Sequence, residues 1–393
     1  MGQRLAIQNV KIAAEHEIIP NGYLIFEDEV ILKVGHGEPN ISCDKVITAP
    51  SGSVLLPGMI DIHIHGGYGA DTMDATPDAL QTISKHLPSE GTTSFLATTI
   101  TQEHSRIEDA LRNAAHWMNG QQNHTGAEML GIHLEGPFIN KNKAGAQPEN
   151  HIIPPNLETF INWQKLSENR IKIVTFAPEE DTSHTFVKYL TSQNIIPSIG
   201  HSDANYNQMN EAIASGAKHV THLFNGMRGF HHREPGVAGT ALAREDLFAE
   251  LITDGIHSHE AAVKLTYQAK GSSGIIMITD SMRGKGLSDG RYDFGGQTVE
   301  VKGETAFLSD GTLAGSILKM NEGAKLMMKI TNCSLLDIVR MTSSNAANQL
   351  NVYDRKGSLT AGKDADLVIV SPEGDVLKTY CKGKIVWERT EEL

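Results

Sequence analysis

Cysteine is scarce in this chain and basic charge is in deficit. The 393 residues hold 3 cysteines, Cys43, Cys333 and Cys381. They are far apart and form no CxxC pair, which argues against a disulfide framework and against a thiolate metal site. Lys and Arg number 34 against 47 Asp and Glu, for a formal net charge of −13. Nucleic acid and anionic membrane surfaces are therefore not expected partners, although a local cluster of donors would still suit a small anion. No apolar run is long enough to span a bilayer. The opening "MGQRLAIQNVKIAAEHEII" lacks the uninterrupted apolar core of a signal peptide. With 39% hydrophobic and 21% charged residues, the balance is that of an ordinary globular protein. The expectation is a reduced, acidic, cytoplasmic protein, long enough for one large domain with an appendage or for two.

What is present is a change of rhythm. The first segment runs in short strand-like bursts, "RLAIQNVKI", "GYLIFEDEVILKVG" and "KVITA". From "VLLPGMIDIHI" onward, apolar β-branched runs alternate with amphipathic helical ones. Further strands are expected at "TTSFLATTI", "EMLGIHLE", "IKIVTFAP", "IIPSIGH", "HVTHLFN", "FAELITDG" and "GIIMITDS". Short strands that are hydrophobic on both faces, each followed by a helix, imply a parallel sheet, and eight in series suggest an α/β fold of the closed (β/α)8 TIM-like barrel type. The stretch near 283–315 has hairpin signals and reads as an antiparallel insertion. The tail "GSLTAGKDADLVIVSPEGDVLKTYCKGKIVWE" returns to short strands. The expected division is residues 1–53 and 356–393 pairing into a small β-sandwich domain, with the barrel at 54–355.

Polar residues then fall in one place on that map. His63 and His65 end the first strand two residues apart, so they project to the same face. Glu135 ends the third strand, His201 the fifth, His222 the sixth and Asp280 the eighth. Each has an ordinary alternative as a helix cap or a strand-end side chain. Independent structural residues have no reason to share one relative place in successive βα units, and the carboxyl ends of barrel strands are where such enzymes build their sites. Imidazoles and carboxylates together suit zinc or a similar divalent ion, which acidifies a water and polarises a carbonyl.

The HxH, the two later strand-end histidines, the aspartate of strand eight and the closing β-segment resemble the amidohydrolase superfamily. Many of its members bridge two metals with a carboxylated lysine on strand four; here Lys172 lies at the amino end of that strand, and Glu135 of "GIHLEGPF" offers a carboxylate from strand three instead. Together with "GHSDA", "THLFNGM", "REPG", "DGIH", "TDSM" and "LAGS", this resembles the N-acetylglucosamine-6-phosphate deacetylase family along essentially the whole chain. The resemblance implies metal-dependent hydrolysis of an N-acetylated amino-sugar phosphate. It gives Glu135, His201 and His222 to the principal ion and His63 and His65 to a second, with Glu135 bridging. Zinc is the expected metal, one or two ions per subunit, with Fe2+, Mn2+ or Co2+ as alternatives. Asp280 is implied as the general acid/base. Ala146, Gln147, Asn225, Gly226, Leu313, Ala314 and Gly315 are implied around the sugar, with Arg233 and His257 on the phosphate. The resemblance also implies a homodimer in which Arg233 reaches the neighbouring subunit's site. At Gln147 some members carry a histidine; an amide can still donate a hydrogen bond but cannot be a cation. His133 is expected behind the ligands, and Arg228, His231 and His232 on a solvated loop.

Overall fold

The structure, a computed structural model, describes residues 2–39, 41–121 and 125–390. Its centre is a barrel of parallel strands hydrogen-bonded in chain order: β1 Met59–Ile64, β2 Thr92–Thr99, β3 Glu128–Glu135, β4 Ile171–Phe176, β5 Ile196–Ile199, β6 His219–Val220, β7 Phe248–Ile252 and β8 Ile275–Ile278. The sequence explains the parallel arrangement. β1 and β2 are buried at every position, which only a sheet covered on both faces permits. The seam between β8 and β1 is closed just beyond the strand ends. Asp280 N donates to His63 O at 2.8 Å and His65 N donates to Ser281 O at 3.0 Å. Asp61, fully buried, accepts from Thr279 Oγ1 at 2.5 Å and from Thr279 N at 3.3 Å.

Helices follow the strands: α1 Pro77–His86, α2 His104–Gly120, α3 Leu157–Leu166, α4 Thr185–Ser192, α5 Tyr206–Ala214, α6 Gly236–Ala243, α7 Glu260–Lys270 and α8 Met320–Thr331. Local chemistry sets their starts. Thr76 caps α1 ahead of Pro77, and Asn205 with Gln208 forms a capping box on α5, each satisfying otherwise orphaned N–H groups. α2 buries Ile107, Ala110, Leu111, Ala114, Trp117 and Met118, an i, i+3, i+4 stripe facing the strands. Each large apolar side chain so buried contributes roughly 1.5–3 kcal/mol.

The apolar run expected as a single first strand is two strands. Val54–Pro57 pairs with the tail strand Leu367–Val370 and, at its start, with Arg4–Ala13, while Met59–Ile64 enters the barrel. Pro57 brings no N–H to a ladder, and Gly58 N turns to donate to Asp366 O at 2.9 Å. The first and last parts of the chain thus share an eight-stranded sheet. It folds across itself, because Phe26 and Tyr380, on strands far apart in the sheet order, pack edge to face at 5.8 Å.

The antiparallel insertion is a three-stranded sheet, Gly290–Phe294, Gln297–Lys302 and Thr305–Phe307. Its first turn is Gly295–Gly296, both with positive φ (60° and 79°), as a two-residue hairpin of this hand requires. Gln102 Nε2 donates to Gly295 O at 2.9 Å, and Gln297 Nε2 donates to Ala146 O at 2.7 Å. These bonds hold the hairpin tip over the carboxyl end of the barrel.

Candidate metal centre and substrate cavity

Six side chains converge at that end of the barrel. Glu135 Oε1 lies 3.2 Å from His201 Nε2 and 3.0 Å from His222 Nε2, and the two imidazole nitrogens are 3.1 Å apart. Glu135 Oε2 faces His65 Nε2 at 3.2 Å. Asp280 Oδ1 faces His65 Nε2 at 3.2 Å and His63 Nε2 at 3.4 Å. Two ligands bonded to zinc at ~2.0–2.1 Å with tetrahedral angles sit ~3.3 Å from one another, so these spacings match donors sharing an ion. His63 Nε2 and Asp280 Oδ1 are moreover buried with no hydrogen-bond partner, a costly state that coordination would relieve. The donors fall into two sets, Glu135 with His201 and His222, and His63 with His65 and Asp280. The residues present therefore fit one divalent ion or a pair, with Glu135 between them.

The backbone aims these groups. His201, His222 and Asp280 each lie two residues past a strand and have positive φ, 47°, 30° and 48°. A non-glycine residue held there costs on the order of 1–3 kcal/mol, and the strain turns each side chain inward over the barrel mouth. Hydrogen bonds then fix the rings. His201 Nδ1 donates to Lys143 O at 2.7 Å, leaving the lone pair on Nε2, which faces Glu135. Gly226 packs against the same ring; a Cβ there would lie 2.9 Å from His201 Nδ1. His133 is not a donor to the centre, since Nδ1 bonds Ile62 O at 3.1 Å and Nε2 bonds Thr175 Oγ1 at 2.7 Å. Burial holds its pKa down at about 3.

Without an ion, protons neutralise the cluster. Burial disfavours the His65 imidazolium, but the Asp280 and Glu135 carboxylates facing Nε2 at 3.2 Å outweigh it and raise the pKa to about 9. His63 is likewise raised, burial being overcome by the charges of Asp280, Glu135 and Glu250. A raised folded-state pKa stabilises the protein below the unfolded value near 6.5 and ceases to do so as pH rises through the folded one. The metal-free protein should therefore lose thermal stability between pH 6.5 and 9. Zinc-loaded protein, whose ligand imidazoles must be neutral, should not follow it. The Tm gain on adding zinc is expected to widen across that window, and a gain that shrinks or stays flat would contradict this arrangement of charges.

A cavity of about 230 Å³ opens above the cluster, lined among others by Ala146, Gln147, Asn225, Gly226, His257, Leu313 and Gly315, with His65, Glu135, His201, His222 and Asp280 as its floor. Ala314 is fully buried behind it, donating its N–H to Ala306 O. Gln147 is turned to Glu135: Nε2 donates to Glu135 Oε2 at 2.6 Å, and Oε1 accepts from Thr101 N at 2.8 Å. His257 Nδ1 donates to Asp254 Oδ2 at 2.6 Å. Burial lowers its pKa, but that bond and the Asp254 charge raise it above the ordinary value, so His257 favours the cationic form. Arg233 is exposed, does not line this cavity, and lies against His232, Nη1 to Nε2 at 2.8 Å. Arg228 is no free loop cation, because Asp203 holds it through Nε at 3.2 Å and Nη2 at 2.8 Å. Lys172 lies at the amino end of β4, beside a separate hollow of about 420 Å³, on the far side of the barrel from Glu135.

Three participants had no sequence motif to announce them. Asp61 accepts from His63 N at 3.2 Å and ties it to β8. Phe294 packs its ring edge-on to His65 at 5.0 Å. Glu250, fully buried on β7, accepts from His63 Nδ1 at 2.8 Å. A carboxylate inside the apolar "FAELI" was the one available signal for Glu250.

Comparison with known proteins agrees with this architecture. The amidohydrolase family profile matches residues 54–386. The chain is 57% identical over 388 residues to the N-acetylglucosamine-6-phosphate deacetylase of Bacillus subtilis (strain 168), covering 98% of each. It is 35% identical over 348 residues to the human protein of that name, covering 86% of this chain and 84% of the other. The solved N-acetylglucosamine-6-phosphate deacetylase of Thermotoga maritima superposes with a TM-score of 0.88 at 34% identity, covering 98% of this chain and all of that one (100%). A mutant of the Mycobacterium smegmatis enzyme, solved in complex with N-acetyl-D-glucosamine-6-phosphate, gives a TM-score of 0.92 at 27% identity, covering 98% and 100%. With this profile spanning most of the chain, and a relative so similar from end to end, the chain belongs to the amidohydrolase family.

Proposed function

We propose that the protein hydrolyses the acetamide of N-acetylglucosamine 6-phosphate to glucosamine 6-phosphate and acetate, a step of amino-sugar catabolism. The observation that carries this reading is Glu135 set between His201 and His222 on one side and His65 on the other, with Asp280 opposite and a sugar-sized cavity directly above. Similarity over the full length to enzymes of that name supports the substrate.

Glu135, His201 and His222 would hold the principal ion, and His63, His65 and Asp280 a second. Bound there, a divalent metal supplies a Lewis acid for the acetyl carbonyl and acidifies water; zinc is the metal we favour. The chain supplies the proton traffic. An amide nitrogen is a poor leaving group until it is protonated. As a water oxygen bonds to the acetyl carbon, Asp280 takes the water's proton and passes it to the nitrogen, and the C–N bond breaks to give amine and acetate. Asp280 Oδ1 faces His63 and His65 at 3.4 and 3.2 Å, and a divalent charge held by these residues would keep its carboxylate ionised, so it starts as the base. No side-chain nucleophile is needed. Gln147 steadies Glu135, and Ile100 with Phe294 gives the cavity an apolar wall.

The phosphate falls to His257, whose Asp254 partner leaves Nε2 directed away from that bond, and to Arg233. Arg233 is exposed and outside the cavity of its own chain, which supports a homodimer in which it completes the neighbouring site. Three unpaired cysteines and a charged substrate that does not cross membranes unaided support a cytoplasmic setting. Among the described residues no helix is long and apolar enough to cross a membrane.

The test is acetate release from a panel of N-acetylglucosamine, N-acetylgalactosamine and N-acetylmannosamine, each free and as the 6-phosphate. The gluco phosphate should give the highest kcat/KM. Equal or faster turnover of the galacto phosphate would displace this substrate assignment and leave the deacetylase chemistry standing.

A further inference from the structure

Beneath the candidate ligands the barrel interior carries a polar layer. His133, Thr175, Thr221, Ser198 and His219 are joined in that order by hydrogen bonds of 2.7, 2.8, 2.5 and 3.0 Å. Glu250 stands apart from this chain of donors and acceptors. Its Oε2 accepts twice, from the Nδ1–H of His63 at 2.8 Å and from the backbone N–H of His222 at 3.2 Å. Its Oε1 has no hydrogen-bond partner, and His219 Nδ1 lies 3.8 Å from it. Three donor groups here, His63, His133 and Glu250, lie close enough to hold a cation. Both His133 nitrogens are already bonded and His63 spends Nδ1 on Glu250, so the trio is a support and not a metal site.

We infer that Glu250 is a positioning residue for the second ion: by holding the His63 proton on Nδ1 it keeps the Nε2 lone pair turned to Asp280 and Glu135. His63 has no other acceptor for that proton among the described residues, and its Nε2 points at Asp280 Oδ1 (3.4 Å) and Glu135 Oε1 (3.4 Å). Rotation of the ring, or the other tautomer, removes one donor from the set of His63, His65 and Asp280. The principal set depends on Glu250 less, since Glu250 touches His222 only through its backbone and His201 is held by Lys143 O. Outer partners of metal-bound histidines affect ion affinity by roughly 10–100-fold. The inference rests on the reading of His63 and His65 as ligands.

Two variants separate orientation from bulk. Glu250→Gln keeps an acceptor oxygen for His63 Nδ1–H; Glu250→Met keeps the volume without one. Metal-free wild-type protein titrated with Zn2+ against a competing chelator should show two binding events. In Glu250→Met the tighter event should stay and the weaker should lose roughly 10–100-fold in affinity, while Glu250→Gln restores it to within a few-fold. Two wild-type events that Glu250→Met leaves untouched, or weakens equally, would overturn the role of Glu250 alone. A single wild-type event would overturn the second site itself. Should Glu250→Met not fold, the 15N shifts of His63 in zinc-loaded wild-type protein decide, with the Nδ1–H tautomer expected and the Nε2–H tautomer overturning the inference.

Discussion

Glu135→Gln should purify folded, without stoichiometric metal and with deacetylation reduced on the order of 10³-fold or more. The substitution preserves volume and the 2.6 Å neighbourhood of Gln147 but removes the one charge placed between His201, His222, His63 and His65. An uncharged amide oxygen is a weaker ligand, and the transition-state stabilisation an ion provides is several kcal/mol. The fold should persist because the barrel seam depends on Asp61, Thr279 and backbone bonds near His63, none of which involves Glu135. Metal analysis and turnover on the same preparation check this. Normal metal content with normal rate would remove Glu135 from the centre.

Arg233→Ala should lower kcat/KM on N-acetylglucosamine 6-phosphate by ~30-fold or more, the scale of losing a charge-assisted contact in a desolvated pairing. Any slow reaction on unphosphorylated N-acetylglucosamine should change little, because the metal centre is untouched. Guanidinium suits phosphate through two parallel bonds, and the overall charge of −13 makes a local cation the more necessary. Crossing between subunits has its own signature. In a hybrid dimer of Arg233→Ala with Asp280→Asn, one site carries both defects. The other has Asp280 from the first chain and Arg233 from the second, so activity should rise well above either parent. Verified hybrids without rescue would confine Arg233 to its own subunit or take it off the substrate.

Much of this could be read from the sequence, and the failures have physical causes. Strands at Thr92–Thr99 and Glu128–Glu135 follow from short β-branched and apolar segments, and the shared strand-end place of His63, Glu135, His201, His222 and Asp280 sketches the centre from the sequence alone. "VLLPGMIDIHI" misleads because both halves are apolar; only their partners, Leu367–Val370 for one and β2 for the other, show the break at Gly58. β6 shrinks to His219–Val220 because the chain must turn early to bring His222 inward at positive φ. The orientation of Gln147 is set by Thr101 N and Glu135, 46 and 12 residues away in sequence, and no local pattern encodes such a pairing. Glu250 acts on His63 from β7, and Asp61, on β1 itself, ties His63 to Thr279 beyond β8, so their roles appear only once the barrel closes.

Acetate and free amine released from N-acetylglucosamine 6-phosphate, measured before metal removal, after it, and after stoichiometric zinc is returned, test the central claim most directly. Equal amounts of acetate and amine are predicted from metal-replete protein, a rate near background after stripping, and recovery on reloading. Undiminished turnover by protein shown to be metal-free, or no turnover by protein shown to be loaded, would contradict it.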